Sequence, residues 1–206
     1  MAKRVPPQWT DREFEDRSFE DEDLAEARLV RCSFARCSFT DARMGETHAD
    51  HCRFEECDFT RAQINAALFA ACAFTASTFT QTNLFLTRFK GCQMLGATFV
   101  DSNLDGLVLE GGNWSWTSLR FQSLEGLNLE GMRLVEADLH GANLSKAVLR
   151  NADLTQANLS LAKLVDADLR GAKLAEANLT GAELRGARME VDQALLYVLS
   201  LGIRLD

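Results

Sequence analysis

The sequence predicts an all-β solenoid, in which short extended segments turn a corner every five residues. Four corners close a square coil of about twenty residues, stacked at the parallel-strand spacing of roughly 4.8 Å. Three observations carry this reading. A large apolar residue recurs at every fifth position, a small residue sits two places before it, and the phase never slips. From Phe14 to Met189 there are 36 such centres, and 35 of them are Phe, Leu, Ile, Met or Trp, with Ala49 the exception. The small position includes eleven consecutive alanines, Ala137 to Ala187. A helix repeats at 3.6 residues and a flat strand at 2, so a drift-free period of five excludes both.

In chain order, residues 1–11 read as an N-terminal cap, 12–191 as the repeats and 192–206 as a C-terminal segment. The repeats amount to about nine coils. Phe dominates the centres up to Phe99 and Leu those after it, so the first coils have the bulkier core. The small position is interrupted over Leu107, Gly112, Thr117, Gln122, Leu127 and Met132, which predicts distorted coils between about Asp105 and Met132. Outward Trp116 and Phe121 in that window are candidate interface anchors. The final stretch EVDQALLYVLSLGIRLD leaves the period. It reads as a helix over 193–201 with Asp192 as N-cap and Gly202 as C-cap, covering the open strand edges. Its apolar Leu195, Leu196, Val198, Leu199, Leu201 and Ile203 exceed what one coil end needs and predict a two-fold dimer through this segment.

The stretch HADHCRFEECDF, residues 48–59, has the composition of a metal site. The period argues otherwise, because all six cysteines (Cys32, Cys37, Cys52, Cys57, Cys72 and Cys92) fall on the small inward position. His48 and His51 fall on outward positions. Zinc ligands must converge on one point, which side chains on opposite faces of a wall cannot do. No metal, cofactor or catalytic residue is expected: His140, the one histidine outside that stretch, has no nucleophile motif near it, and a filled square core offers no substrate pocket. The chain has 206 residues, 47% of them hydrophobic, with no signal-like or membrane-spanning apolar run, so a cytoplasmic location is expected. A formal charge of -8 disfavours nucleic acid and anionic membranes and suits a basic partner.

The motif A-[D/N]-L-x-x, carried by residues 12 to 191, resembles the pentapeptide-repeat proteins. That resemblance implies a right-handed quadrilateral β-helix. Gln8-Trp9, Glu13-Phe14, Asp21 to Leu24, the CQMLG of Cys92 to Gly96 and the VDQAL near the C-terminus further resemble the Qnr and MfpA proteins. The likeness is closer to the loopless MfpA type, since the unbroken phase leaves no room for projecting loops. It implies a DNA-mimicking binder of bacterial DNA gyrase or topoisomerase IV that inhibits the enzyme or protects it from quinolones or gyrase-targeting toxins. The runner-up is an interaction scaffold or immunity-type protein with a non-topoisomerase partner.

Duplex DNA carries about one charge per 1.7 Å, far denser than a net of -8 spread over nine coils, so mimicry has to be directional. With the small positions excluded as inward, the sides centred on Phe14 and Phe19 are the most acidic. The Leu24 side is less so, and the Leu29 side is basic. The expected partner-binding residues on the two acidic sides are Glu13, Asp16, Glu20, Asp21, Glu55, Glu56, Asp58, Asp101, Glu136, Asp138, Asp153 and Glu176.

Overall fold

A computed structural model describes residues 5–200. The chain is a parallel β-solenoid closed by a short C-terminal helix, divided into two compact units, Met1–Glu110 and Gly111–Asp206.

In the first unit, three-residue strands stack on their counterparts twenty residues away, as in Arg28↔His48 and Phe34↔Phe54. The ladder on the Leu29 side has six strands: Gln8–Thr10, Arg28–Val30, His48–Asp50, Leu68–Ala70, Arg88–Lys90 and Val108–Glu110. Regular strands make about five turns, against the nine coils expected. In the second unit the same twenty-residue register, from Asn113↔Arg133 to Asp168↔Arg188, is kept by single bridges rather than strands.

Every corner from Asp11 to Gly186 has a positive φ, on a five-residue beat, and 26 of these residues are not glycine. Their left-handed backbone costs an L-residue roughly 1–2 kcal/mol. Most corner N–H groups recover part of that by bonding the coil above, as Asp16 N–H does to Ala35 O at 3.0 Å. In the window expected to be distorted, Asp105 to Met132, the corner beat holds, and one further residue, Gly112, takes a positive φ of 102° off it.

Inside, the Phe centres of the first unit stack directly, with Phe34 over Phe54 at 4.8 Å and Phe39 over Phe59 at 4.9 Å. Two kinds of corner explain the small residues between them. In one kind the centre's carbonyl accepts an N–H from three residues on, as Phe59 O does from Ala62 at 3.0 Å. In the other that local bond is absent, and at several such corners the carbonyl is met from the next coil by a thiol or hydroxyl at the small position. Cys57 reaches Phe34 O at 3.4 Å, Ser77 reaches Phe54 O at 3.2 Å and Cys92 reaches Phe69 O at 3.3 Å. Every centre from Trp114 to Leu184 has the local bond, so alanine suffices throughout the second unit's run.

The helix α1 spans Val191–Ser200, two residues earlier than expected. Its N-cap is Glu190 rather than Asp192: Gln193 Oε1 accepts the Glu190 N–H at 2.8 Å, the reach-back half of a capping box. The same side chain closes the solenoid. Had the coils continued, the backbone N–H of residue 193 would meet Ala172 O, as Arg188 N–H meets Ala167 O at 2.8 Å. The chain has turned away into α1, and the buried Gln193 carboxamide donates instead to Ala172 O and Leu169 O, both at 2.7 Å.

Candidate partner-binding surface

The partner-binding residues expected from the sequence are outward side chains. The six cysteines are buried free thiols, whereas His48 and His51 are exposed on the other face of the wall. Burial pushes the Cys57 thiol up to about 12 and Cys92 to about 11. Such thiols are poor metal ligands and poor nucleophiles. His51 Nδ1 lies 3.0 Å from Asp50 Oδ1.

Acidity is concentrated in the first unit. Residues 1–110 hold eighteen acidic and twelve basic residues, a net of -6 out of the chain's -8. Its sides rank differently from the sequence expectation. Arg12 and Arg17 occupy small positions of the first described coil but are exposed, and Glu22 is half-buried, no described coil lying beneath them. Counting them over residues 7–110 leaves the Phe14 side at -2, the Phe19 side at -3, the Leu24 side at -4 and the Leu29 side at +1. The Arg17 guanidinium lies 4.3 Å from the Phe19 ring centroid and shields that end of the core.

Basic residues often reach back one coil to an acid twenty residues earlier. Arg36 pairs with Asp16 at 2.8 Å and also with Glu15, Arg31 meets Asp11 at 2.6 Å, and Arg61 pairs with Asp41. Hydrogen bonds from Arg31 and Arg36 hold the Asp11 and Asp16 carboxyls below their ordinary range.

Of the twelve expected partner-binding acids, Asp16 is therefore engaged, and Asp58 accepts from Thr60 at 2.5 Å and Thr78 at 3.2 Å. In the second unit Asp138 pairs with Arg120 at 2.9 Å, Asp153 with Lys173 at 3.2 Å, and Glu176 accepts from Gln156 at 2.8 Å. Burial raises the Asp138 carboxyl, but the bonds from Arg120, His140 and Asn158 outweigh it and leave the group lowered. Glu13, Glu20, Asp21, Glu55, Glu56, Asp101 and Glu136 have no side-chain partner among the described residues. All but Glu136 belong to the first unit.

Two features were missed from sequence. Gln193 stands at an ordinary register position, and only the departure of the backbone there gives it a role. The exposed pair Phe85 and Leu86, at 44% and 53% exposure, was readable as two adjacent outward apolar residues. Trp116 and Phe121 are exposed at 55% and 67%, with Trp114 buried. On α1, Leu195 is exposed and Val198 half-buried. The side chains of Leu196 and Leu199, and residues Leu201 and Ile203 altogether, lie outside the described residues. No helix among the described residues is long and apolar enough to cross a membrane.

Comparison with solved structures gives a fold likeness. A trypsin-treated variant of QnrB1, a plasmid-mediated fluoroquinolone resistance protein, aligns with a TM-score of 0.83 at 21% identity, over 97% of this chain and 100% of that one. Full-length QnrB1 aligns with a TM-score of 0.60 at 21% identity, over 95% and 100%. HetL, a pentapeptide-repeat protein of heterocyst differentiation regulation from the cyanobacterium Nostoc sp. strain PCC 7120, aligns at 27% identity over 89% of each chain, with a TM-score of 0.45. A search of curated protein sequences returns no match. The pattern of the pentapeptide repeats matches in eight copies across residues 23–60, 37–72, 113–151 and 152–190. These segments cover more than half of the 206 residues and agree with the five-residue beat of the corners: the chain belongs to the pentapeptide-repeat family.

Proposed function

We propose that this chain binds a bacterial type II topoisomerase, DNA gyrase or topoisomerase IV, and inhibits it or shields it from quinolones or gyrase-targeting toxins. The observation that carries the reading is the set of unpaired carboxylates on the first unit, Glu13, Glu20, Asp21, Glu55, Glu56 and Asp101, on a solenoid whose sides are otherwise laced with ion pairs. Unpaired surface acids complement a basic DNA-binding groove and steer association with it. The fold likeness to a fluoroquinolone resistance protein points the same way. In this reading the protein is a cytoplasmic binder without cofactor or catalysis, dimeric through Leu195, Val198 and the residues that follow them.

A supercoiling assay tests it, with purified protein titrated into gyrase with and without ciprofloxacin. Inhibition or protection that weakens as salt rises supports the reading. No effect on either activity leaves the scaffold reading, which the exposed Trp116 and Phe121 of the near-neutral second unit favour.

A further inference from the structure

The first unit carries a neutral belt. Residues 62–87 contain no Asp, Glu, Lys, Arg or His, and residues 62–100 contain only Arg88 and Lys90, both on the Leu29 side. Depletion of charge at the centre with charge at the rim is the compositional mark of a protein–protein interface. On this belt stand Phe85 and Leu86, two large apolar residues side by side and about half exposed.

Leu86 is costly twice over. It sits at a corner with φ 56°, where a leucine bears the left-handed penalty, while the next corners at 91, 96 and 106 are glycine. It also leaves apolar surface in water even though it lies across Gly106. Backbone rungs from Glu26 N–H to Gly45 O, Glu46 N–H to Asn65 O, Ala66 N–H to Phe85 O and Leu86 N–H to Asp105 O place Glu26, Glu46, Ala66 and Leu86 in one corner column. Acids therefore bracket the apolar pair, with Glu26 and Glu46 before it and Asp105 after it. None of the three is in an ion pair among the described residues. This is the Leu24 side, the most acidic side of the unit.

We infer that the Phe85–Leu86 corner is the apolar centre of a second docking patch for the same partner, apart from the Glu13, Glu55 and Glu56 side, and that its occupant is a protein surface apolar in the middle and basic where it meets Glu26, Glu46 and Asp105. The partner's identity rests on the topoisomerase reading. A second copy of this chain fits less well, because the same acids would face one another across the contact.

The test adds negative charge to the corner. If binding is electrostatic alone, Phe85→Glu and Leu86→Glu bind gyrase as well as or better than the wild type. If the corner is the buried centre, each weakens binding about tenfold or more at fixed salt. Leu161→Glu, at a 56% exposed position of the second unit, serves as the control and stays within about twofold. Leu86→Gly relieves the backbone and removes the anchor, so it weakens binding with no fall in thermal midpoint. Unchanged or tighter binding by the two glutamate variants overturns the inference and leaves the topoisomerase reading standing. Failure of the wild type to bind either topoisomerase overturns both.

Discussion

At the scale of single residues, the corners hold most of the molecule's stored strain. Ala71, with φ 50°, is exposed and bears the left-handed penalty. Ala71→Gly should therefore raise stability by about 0.5–1 kcal/mol in urea unfolding, the relief of φ being partly offset by glycine's entropy in the unfolded chain. Charge pairs act on a different variable. Hydrogen bonds from Arg170 hold the Asp168 carboxyl down at about 2, against an ordinary value of 3.8. A group lowered on folding stabilises fully above its unfolded value and loses that contribution as pH falls through its folded one. An Arg170→Ala variant should thus be slightly less stable than wild type at pH 5, with the gap closing between about pH 4 and 2. Urea midpoints across that range check it.

At the scale of elements, the two kinds of corner govern what the small position must be. At Phe34, Phe54 and Phe69, which lack the local turn bond, a cysteine or serine of the next coil supplies a donor. Cys57, Cys72 and Cys92 fill that place in the first unit. The alternation of Cys and Ser with Ala was visible in the sequence, but its cause was not, because the missing turn bond is a property of the backbone. The helix start was misread for a related reason: Asp192 looks like a cap by type, whereas Gln193 reaches back to Glu190 and fixes the boundary. Gln193→Ala leaves the Ala172 carbonyl without its amide donor and Leu169 O with only the Ala172 N–H, which should cost about 1–3 kcal/mol and fray α1. Hydrogen exchange of the α1 amides, compared with wild type, checks this. Unchanged protection would show that apolar packing alone holds the helix.

At the scale of the whole molecule, the period of five made the solenoid, its centres and its buried thiols readable, since each follows from which way a side chain points. The candidate surface was read less well. Inward and outward were assigned by phase, and phase misplaces Arg12 and Arg17, which are exposed at small positions. Pairing was hidden too, because Arg36 meets Asp16 across twenty residues of sequence. Reversal to lysine at Glu55, Glu56 and Asp101 together should weaken gyrase binding about tenfold or more and flatten its salt dependence. The same change at Asp138 and Asp153, already matched by Arg120 and Lys173, should do less. Calorimetric titration at two salt concentrations separates these, and equal losses would remove the assignment to the first unit.

The twenty-residue register also bears on how the chain is made. Nearly every long-range bond joins residues separated by one coil, a contact order of roughly 0.1, low for a β protein and therefore fast to form. During synthesis each coil can lie down on the finished one before it as soon as about twenty more residues have emerged, so order of translation becomes order of assembly. The growing edge always exposes unpaired strand groups until the last segment arrives. Gln193 is then the closing stitch, and a nascent chain stalled before it would end on an open, self-templating edge.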